Sequence, residues 1–278
     1  MRTNISLKTL WFIMAALIIA MPVPTIHAAG SEITIKGSTT ILPVAQVASE
    51  VFMEKNPGIK ISVQGGGSGV GIASLLDKTT DIATSSRKIK TEEIEKGKAS
   101  GIIPNEIAIA LDGIAVIVHP TNSVKALTKA QIKDIYTGKL SNWSEVGGKD
   151  AKIVIVNRDT SSGTYEAFEI LALNKEKVRP DALTTASNQA VAQTVAQTPG
   201  AIGYVGHGYL TPKVKAVTVD KIECTKQTIQ SEKYPLSRYL YVYTNGKPTG
   251  NVQKFINFIL SKEGQKLVED EGFVDVLK

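Results

Sequence analysis

Three times the sequence passes from a short β-branched run, through a turn rich in glycine, serine or threonine, into a helical pattern. "EITIKG", residues 32–37, alternates as a strand does and meets "STT", after which apolar residues recur at Ile41, Val44, Val47, Ala48, Val51 and Phe52 up to the "NPG" stop. "KISVQ", 60–64, leads through "GGGSG" into a helical stretch from about Val70 to Leu76, and "KIVIV", 152–156, leads through "NRDTSSG" into "TYEAFEILAL". Strands alternating with helices predict an α/β fold with largely parallel sheets, because parallel neighbours need a crossover between them. Such crossovers set helix N-termini at the carboxyl ends of the strands, where ligands collect.

Two further runs look different. "GIAVIVHP", 113–120, and "RYLYVYTNG", 238–246, lie far apart, are rich in β-branched or aromatic residues and are bounded by breakers. Read as strands crossing between two lobes, they divide the chain into 30–113 plus 244–278 and 114–243; two ordinary strands of one domain is the other reading.

Residues 1–29 read as a secretory signal: Arg2 and Lys8, an apolar run from Leu10 to Met21, and small residues that predict cleavage near Ala28 or Ala29. The run is shorter than the roughly 20 residues of a spanning helix, and no cysteine stands near the cleavage point to carry a lipid. The expectation is a periplasmic protein with no stable membrane insertion. Cys224, the only cysteine, has no partner for a disulfide, and with His119 and His207 it makes no common zinc set, so no metal and no cofactor are expected. Past the signal, 30 basic residues face 26 acidic ones, interspersed as in "KIKTEEIEKGKAS". That is a solvated helix face and not a nucleic-acid stripe.

What can the turns hold? A helix N-terminus offers unpaired N–H groups and about half a positive charge, glycine admits close approach, and hydroxyls add rotatable donors. Each turn alone reads as a helix cap. Together, with Arg158 matching an oxyanion's geometry, they point to an anion site. A Walker pattern is absent, "GGGSGVG" misses the GxGxxG spacing, and a GxSxG elbow at Ser68 fails at Val70. Nucleotide binding and serine hydrolysis are therefore weakly supported.

The segments "GSTTILP", "VQGGGSGVGI", "TDIATSSR", "IYTGKLSNWSEVGG", "RDTSSGTYEAF", "GAIGYV" and "SKEGQKLVEDEGFV" span most of the mature chain. In order and spacing they resemble the phosphate-binding proteins of the phosphate ABC transporter. The resemblance implies a two-lobed periplasmic-binding-protein fold of type II, each lobe a mostly parallel sheet flanked by helices, joined by two hinge strands. It implies a monomer that is no enzyme, encloses inorganic phosphate and delivers it to an ABC transporter permease. Carried over by position, the phosphate-binding residues are Thr39 with the amide of Thr40, Ser68, Arg158, Ser162, Gly163 and Thr164, with Ser38 a neighbour.

Where many members have an aspartate to accept the ligand's proton, this chain has Ser86, followed by Arg87. Arg87 is expected as a second charge at the site, with a surface role as the alternative. Asp159 or Glu166 would then be the substitute acceptor. The rivals are the same fold holding sulfate, molybdate or tungstate, an exported hydrolase using Ser162 with Arg158, and a sensor or scavenger outside transport.

Overall fold

The computed structural model describes residues 32–277, so the signal read at 1–29 lies outside the described residues. The chain begins with β1 (Glu32–Gly37), α1 (Leu42–Lys55), β2 (Lys60–Gln64), α2 (Ser68–Leu76), β3 (Ile82–Ser85), α3 (Thr91–Ala99) and β4 (Pro104–Val118). It continues through β5 (Ala126–Leu127), α4 (Lys129–Thr137), β6 (Val154–Arg158), α5 (Gly163–Leu171), β7 (Leu183–Thr185), α6 (Asn188–Gln197) and β8 (Ala201–Gly206). The last elements are β9 (Lys215–Ala216), β10 (Thr218–Val219), α7 (Lys226–Gln230), β11 (Ser237–Asn245), α8 (Gly250–Ile259) and α9 (Lys262–Asp270).

The three repeated units appear as expected. β1 pairs in parallel with β2 and β3, and β6 pairs in parallel with β7 and β8. The two parallel groups are joined through β4 and β11, giving the order β2-β1-β3-β11-β4-β8-β6-β7. The "GIAVIV" of "GIAVIVHP" is not a separate strand but the far end of β4, whose Pro104–Gly113 stretch pairs with β11 and whose Ile114–Val118 stretch pairs with β8. An uninterrupted run of branched apolar residues suits this strand, because it is buried along most of its length.

The apolar cores separate along β4. Ile33, Ile35, Phe52, Ile82, Ile109, Leu240, Val242 and Phe255 pack together on one side, with a smaller cluster around Ile72, Leu75 and Tyr243. Ile114–Val118, Ile132, Trp143, Phe168, Val191 and Tyr204 form the other. In that second core Phe168 stacks on Tyr204, with ring centroids 4.0 Å apart. Cys224 is buried beside it, and burial pushes its thiol well above the ordinary value, as expected of an inert packing residue.

Two boundaries differ from the sequence reading. α2 starts at Ser68 and not near Val70. β6 runs over Val154–Arg158, two residues beyond "KIVIV", because Val156, Asn157 and Arg158 pair with Leu183, Thr184 and Thr185 of β7. Arg158 is thus held as the last residue of a strand, which fixes its backbone.

Candidate anion-binding site

β1 ends on Gly37 at φ +137°, where a Cβ would lie 2.2 Å from the Thr84 carbonyl. Only glycine lets the turn close against β3 there. The chain then passes through Ser38, Thr39 and Thr40, all buried. None of them caps α1, whose N-cap is Ile41 with no side-chain bond. The same is true of α2: Gly67 stands at the cap without a side-chain bond, and the buried Ser68 hydroxyl accepts from the Ser86 amide at 3.0 Å. Ser162 alone of these turn residues is a true cap, accepting from the Tyr165 amide at 3.2 Å. Capping, which could have explained every turn, accounts for one of the three.

The turns meet. Thr40 Oγ1 and Thr164 Oγ1 are 2.7 Å apart, and Ser68 Oγ lies 3.3 Å from Ser86 Oγ. A Cβ on Gly163 would fall 2.2 Å from Ser68 Oγ and 2.8 Å from Ser86 Oγ, so the start of α5 sits directly on the turns of the first half. The seam is closed by the Gly69 amide donating to the Ser161 carbonyl and the Ser161 hydroxyl donating to the Gly66 carbonyl, both at 2.9 Å. Ser38, Thr39, Thr40, Ser68, Ser86, Ser162, Gly163 and Thr164 thereby form one buried polar cluster at the N-terminus of α5, where the helix dipole favours negative charge. The Thr40 amide, expected on the ligand, donates to Ser38 Oγ at 3.1 Å.

Arg158 is 2% exposed. Its Nε donates to the Thr185 carbonyl at 3.2 Å, Nη2 donates to the Ala186 carbonyl at 3.1 Å, and Asp159 lies 3.6 Å away. Its Nη1 is buried with no hydrogen-bond partner. Burial pulls this guanidinium below its ordinary value, the charge of Asp159 works against that, and the nearby charge of Arg238 adds to it. A buried N–H without an acceptor costs free energy that an oxyanion would return.

Arg87 is not drawn into the hydroxyl cluster, and it is not a surface residue either. Its Nη1 and Nη2 donate to Glu93 at 2.8 and 2.7 Å, Nη1 also donates to the Lys88 carbonyl, and Nε lies 2.9 Å from Glu166. Burial alone would lower its pKa, but the bonds to Glu93 and the charge of Glu166 raise it overall. Neither substitute acceptor is free. Glu166 pairs with Arg87 and with Lys90 at 2.8 Å, and Asp159 accepts from the Ser161 amide at 2.9 Å and lies against Arg158.

Sequence reasoning missed four residues. Asn188 Nδ2 donates to Thr39 Oγ1 at 3.2 Å and Thr40 Oγ1 at 3.1 Å, and the Tyr209 hydroxyl donates to the Thr39 carbonyl. Arg238, its side chain 6% exposed, is paired with Asp112, which is 0% exposed. One local signal was present: Asp112 is the single charge in the apolar run from Ile107 to Val118.

Two parallel-sheet halves joined by shared antiparallel strands, with the helix-opening turns of both facing one seam, make up the type II periplasmic-binding-protein fold. Residues 23–263 match the PBP superfamily domain. The phosphate-binding protein PstS of Bacillus subtilis is 37% identical over 250 residues, covering 89% of this chain and 82% of that protein. PstS of Borreliella burgdorferi is 35% identical, covering 88% and 90%. Among solved structures, a phosphate ABC transporter substrate-binding protein from Clostridium perfringens with bound phosphate superposes with a TM-score of 0.84 at 36% identity, covering 89% of this chain and all of that one. The chain belongs to the PstS family of phosphate-binding proteins.

Proposed function

We propose that this protein captures inorganic phosphate between its two halves and delivers it, chemically unchanged, to an ABC permease. The observation that carries the reading is Arg158 Nη1, a buried cationic donor with no hydrogen-bond partner, at the start of the turn that leads to Ser162, Gly163 and Thr164 of the buried hydroxyl cluster. Relatives at 34–37% identity named for phosphate binding add to it. The ligand-holding residues are Thr39, Ser68, Ser86, Arg158, Ser162, Gly163 and Thr164, with Ser38 and Thr40 behind them, the Thr40 amide being taken by Ser38 Oγ and its hydroxyl facing Thr164. Arg87 is assigned to the seam, through Glu93 and Glu166.

The lobes divide where the cores do, with one crossing inside β4 near Gly113 and the other just before β11, near Leu236. Leu240 and Val242 of β11 pack with the first core, which favours this boundary over one at 243/244. Opening and closing about those crossings lets the ligand enter, and closure excludes water, which strengthens every charge-assisted bond. Residues 1–29 are proposed to export the protein to the periplasm as a monomer. No helix among the described residues is long and apolar enough to cross a membrane.

A fully ionised tetrahedral anion such as sulfate is the second reading, favoured by one observation: Asp112, Asp159 and Glu166 already accept from other groups. Calorimetric titration of the mature protein, freed of ligand by reversible unfolding, separates the two. Tight phosphate binding that sulfate does not displace, and that Arg158→Ala loses, supports the first. Sulfate binding as tight as phosphate overturns it in favour of the second.

A further inference from the structure

Arg238 lies beneath the hydroxyl cluster, and every edge of its guanidinium is used. Nε and Nη2 donate to Asp112 Oδ2 at 3.0 and 2.8 Å. Nη1 donates to the Ser86 carbonyl at 3.0 Å and the Gly163 carbonyl at 3.4 Å, one from each half. Nη2 also reaches Thr164 Oγ1 at 3.1 Å and Thr40 Oγ1 at 3.4 Å. Arg238 and Asp112 face each other across β11 and β4, so backbone register sets the pair in place.

These contacts determine which way the hydroxyl protons point. A guanidinium only donates, and a hydroxyl has one proton and two lone pairs. Thr40 Oγ1 receives Asn188 Nδ2 and Arg238 Nη2. The Asn188 amide is itself oriented, because its Oδ1 accepts from the Gly206 amide at 3.1 Å. With both lone pairs engaged, Thr40 gives its proton to Thr164, 2.7 Å away. Thr164 Oγ1 then accepts from Thr40 and Arg238, and its own proton has no place left except outward, as a donor. Without Arg238 the Thr40–Thr164 bond could run either way, and Thr164 could present a lone pair, which repels an anion.

We propose that Arg238, held by Asp112, is a positioning residue that fixes Thr164 as a donor to the bound anion. It acts through Thr164 without touching the ligand. This rests on the reading that the cluster binds phosphate.

The test is a double-mutant cycle read by phosphate titration: wild type, Arg238→Lys, Thr164→Val and the double variant, with thermal melting to confirm that each is folded. Arg238→Lys keeps the charge and loses the fork. It is expected to weaken phosphate binding about tenfold or more, yet by less than about twofold when Thr164 is already valine, as residues in one hydrogen-bond network couple. Losses that simply multiply, or full affinity in Arg238→Lys, would overturn the positioning role. If Arg238→Lys does not fold, Asp112→Asn with Arg238→Gln, a charge-free pair, replaces it in the same cycle with the same two outcomes. A wild type that binds no phosphate would instead sink the underlying reading, so the two failures are distinguishable.

Discussion

Arg87 and Arg158 occupy matching places in the two halves of the molecule. Each is a buried arginine at the carboxyl end of a strand with a parallel partner: Arg87 lies two residues past β3 and beside Ser86, and Arg158 is the last residue of β6, four residues before Ser162. Their surroundings differ. Arg87 meets Glu93 and Glu166 and leaves the hydroxyls alone, whereas Arg158 binds two carbonyls and keeps Nη1 free of partners. Burial of an arginine is therefore poor evidence for a ligand; what its donors face decides, a carboxylate at every edge of Arg87 and no acceptor at Arg158 Nη1. In one half the cation holds the protein together, and in the other it is held ready.

Swapping out each arginine should break this symmetry most clearly. Arg158→Ala is expected to cost phosphate binding about 2–5 kcal/mol, as for other buried charged partners, which is roughly thirtyfold or more in Kd. Arg87→Ala should lower the melting temperature, because it strands Glu93 and part of Glu166, and should weaken binding less. Titration and melting of both variants check this; a larger binding loss for Arg87→Ala would return it to the ligand shell.

The next effect concerns the contact between the halves. Gly163 is the first residue of α5 and has no positive φ, so alanine fits the local backbone. Its Cβ would nonetheless strike Ser68 and Ser86 across the seam. Gly163→Ala should leave stability near wild type while opposing closure, weakening phosphate binding by about 1–3 kcal/mol, the usual cost of overpacking. Small-angle scattering with saturating phosphate should show the variant more open than wild type.

Ser86→Asp tests what the first half lacks. A carboxylate there offers phosphate's proton an acceptor and faces sulfate with two acceptors and no hydrogen between them. Sulfate competition should drop about tenfold or more, since an unpaired buried polar group costs about 1–3 kcal/mol. Unchanged competition would mean that another group already discriminates.

The local parts of this site were legible in the sequence, and the long-range parts were not. Gly163, Ser162 and the hydroxyls of "GSTT" announce themselves because glycine and hydroxyl punctuation acts within a few residues. The ends of Arg87 and Arg158 could not be read that way. Whether Arg87 serves the ligand or the seam depends on Glu166, which the fold brings from another half of the chain. The Arg238–Asp112 pair spans 126 residues and exists only because β11 lies antiparallel to β4, a register that periodicity within either strand does not encode. Asp112 within its apolar run was a sign that some buried cation had to exist; which one was a matter of topology.

The smallest effect is one of pH, and it follows from the structural role of Arg87. Burial would raise the Glu93 carboxyl, but the bond from Arg87, with help from the Lys90 amide, holds it below its ordinary 4.5. A carboxyl depressed in the folded state contributes stability that is complete above its unfolded value and is lost as pH falls through the folded one. Glu93→Gln should therefore melt below wild type near pH 7, with the gap closing as both are taken below about pH 4. Because the pair is partly screened by solvent, the contribution is about 1 kcal/mol or less, or about 2–4 °C for a chain of this size. A gap that stays constant down to pH 3 would mean that Glu93 acts by its shape and not by its charge. Arg87 would then be bound to the seam by Glu166, and the contrast with Arg158 would rest on that single carboxylate.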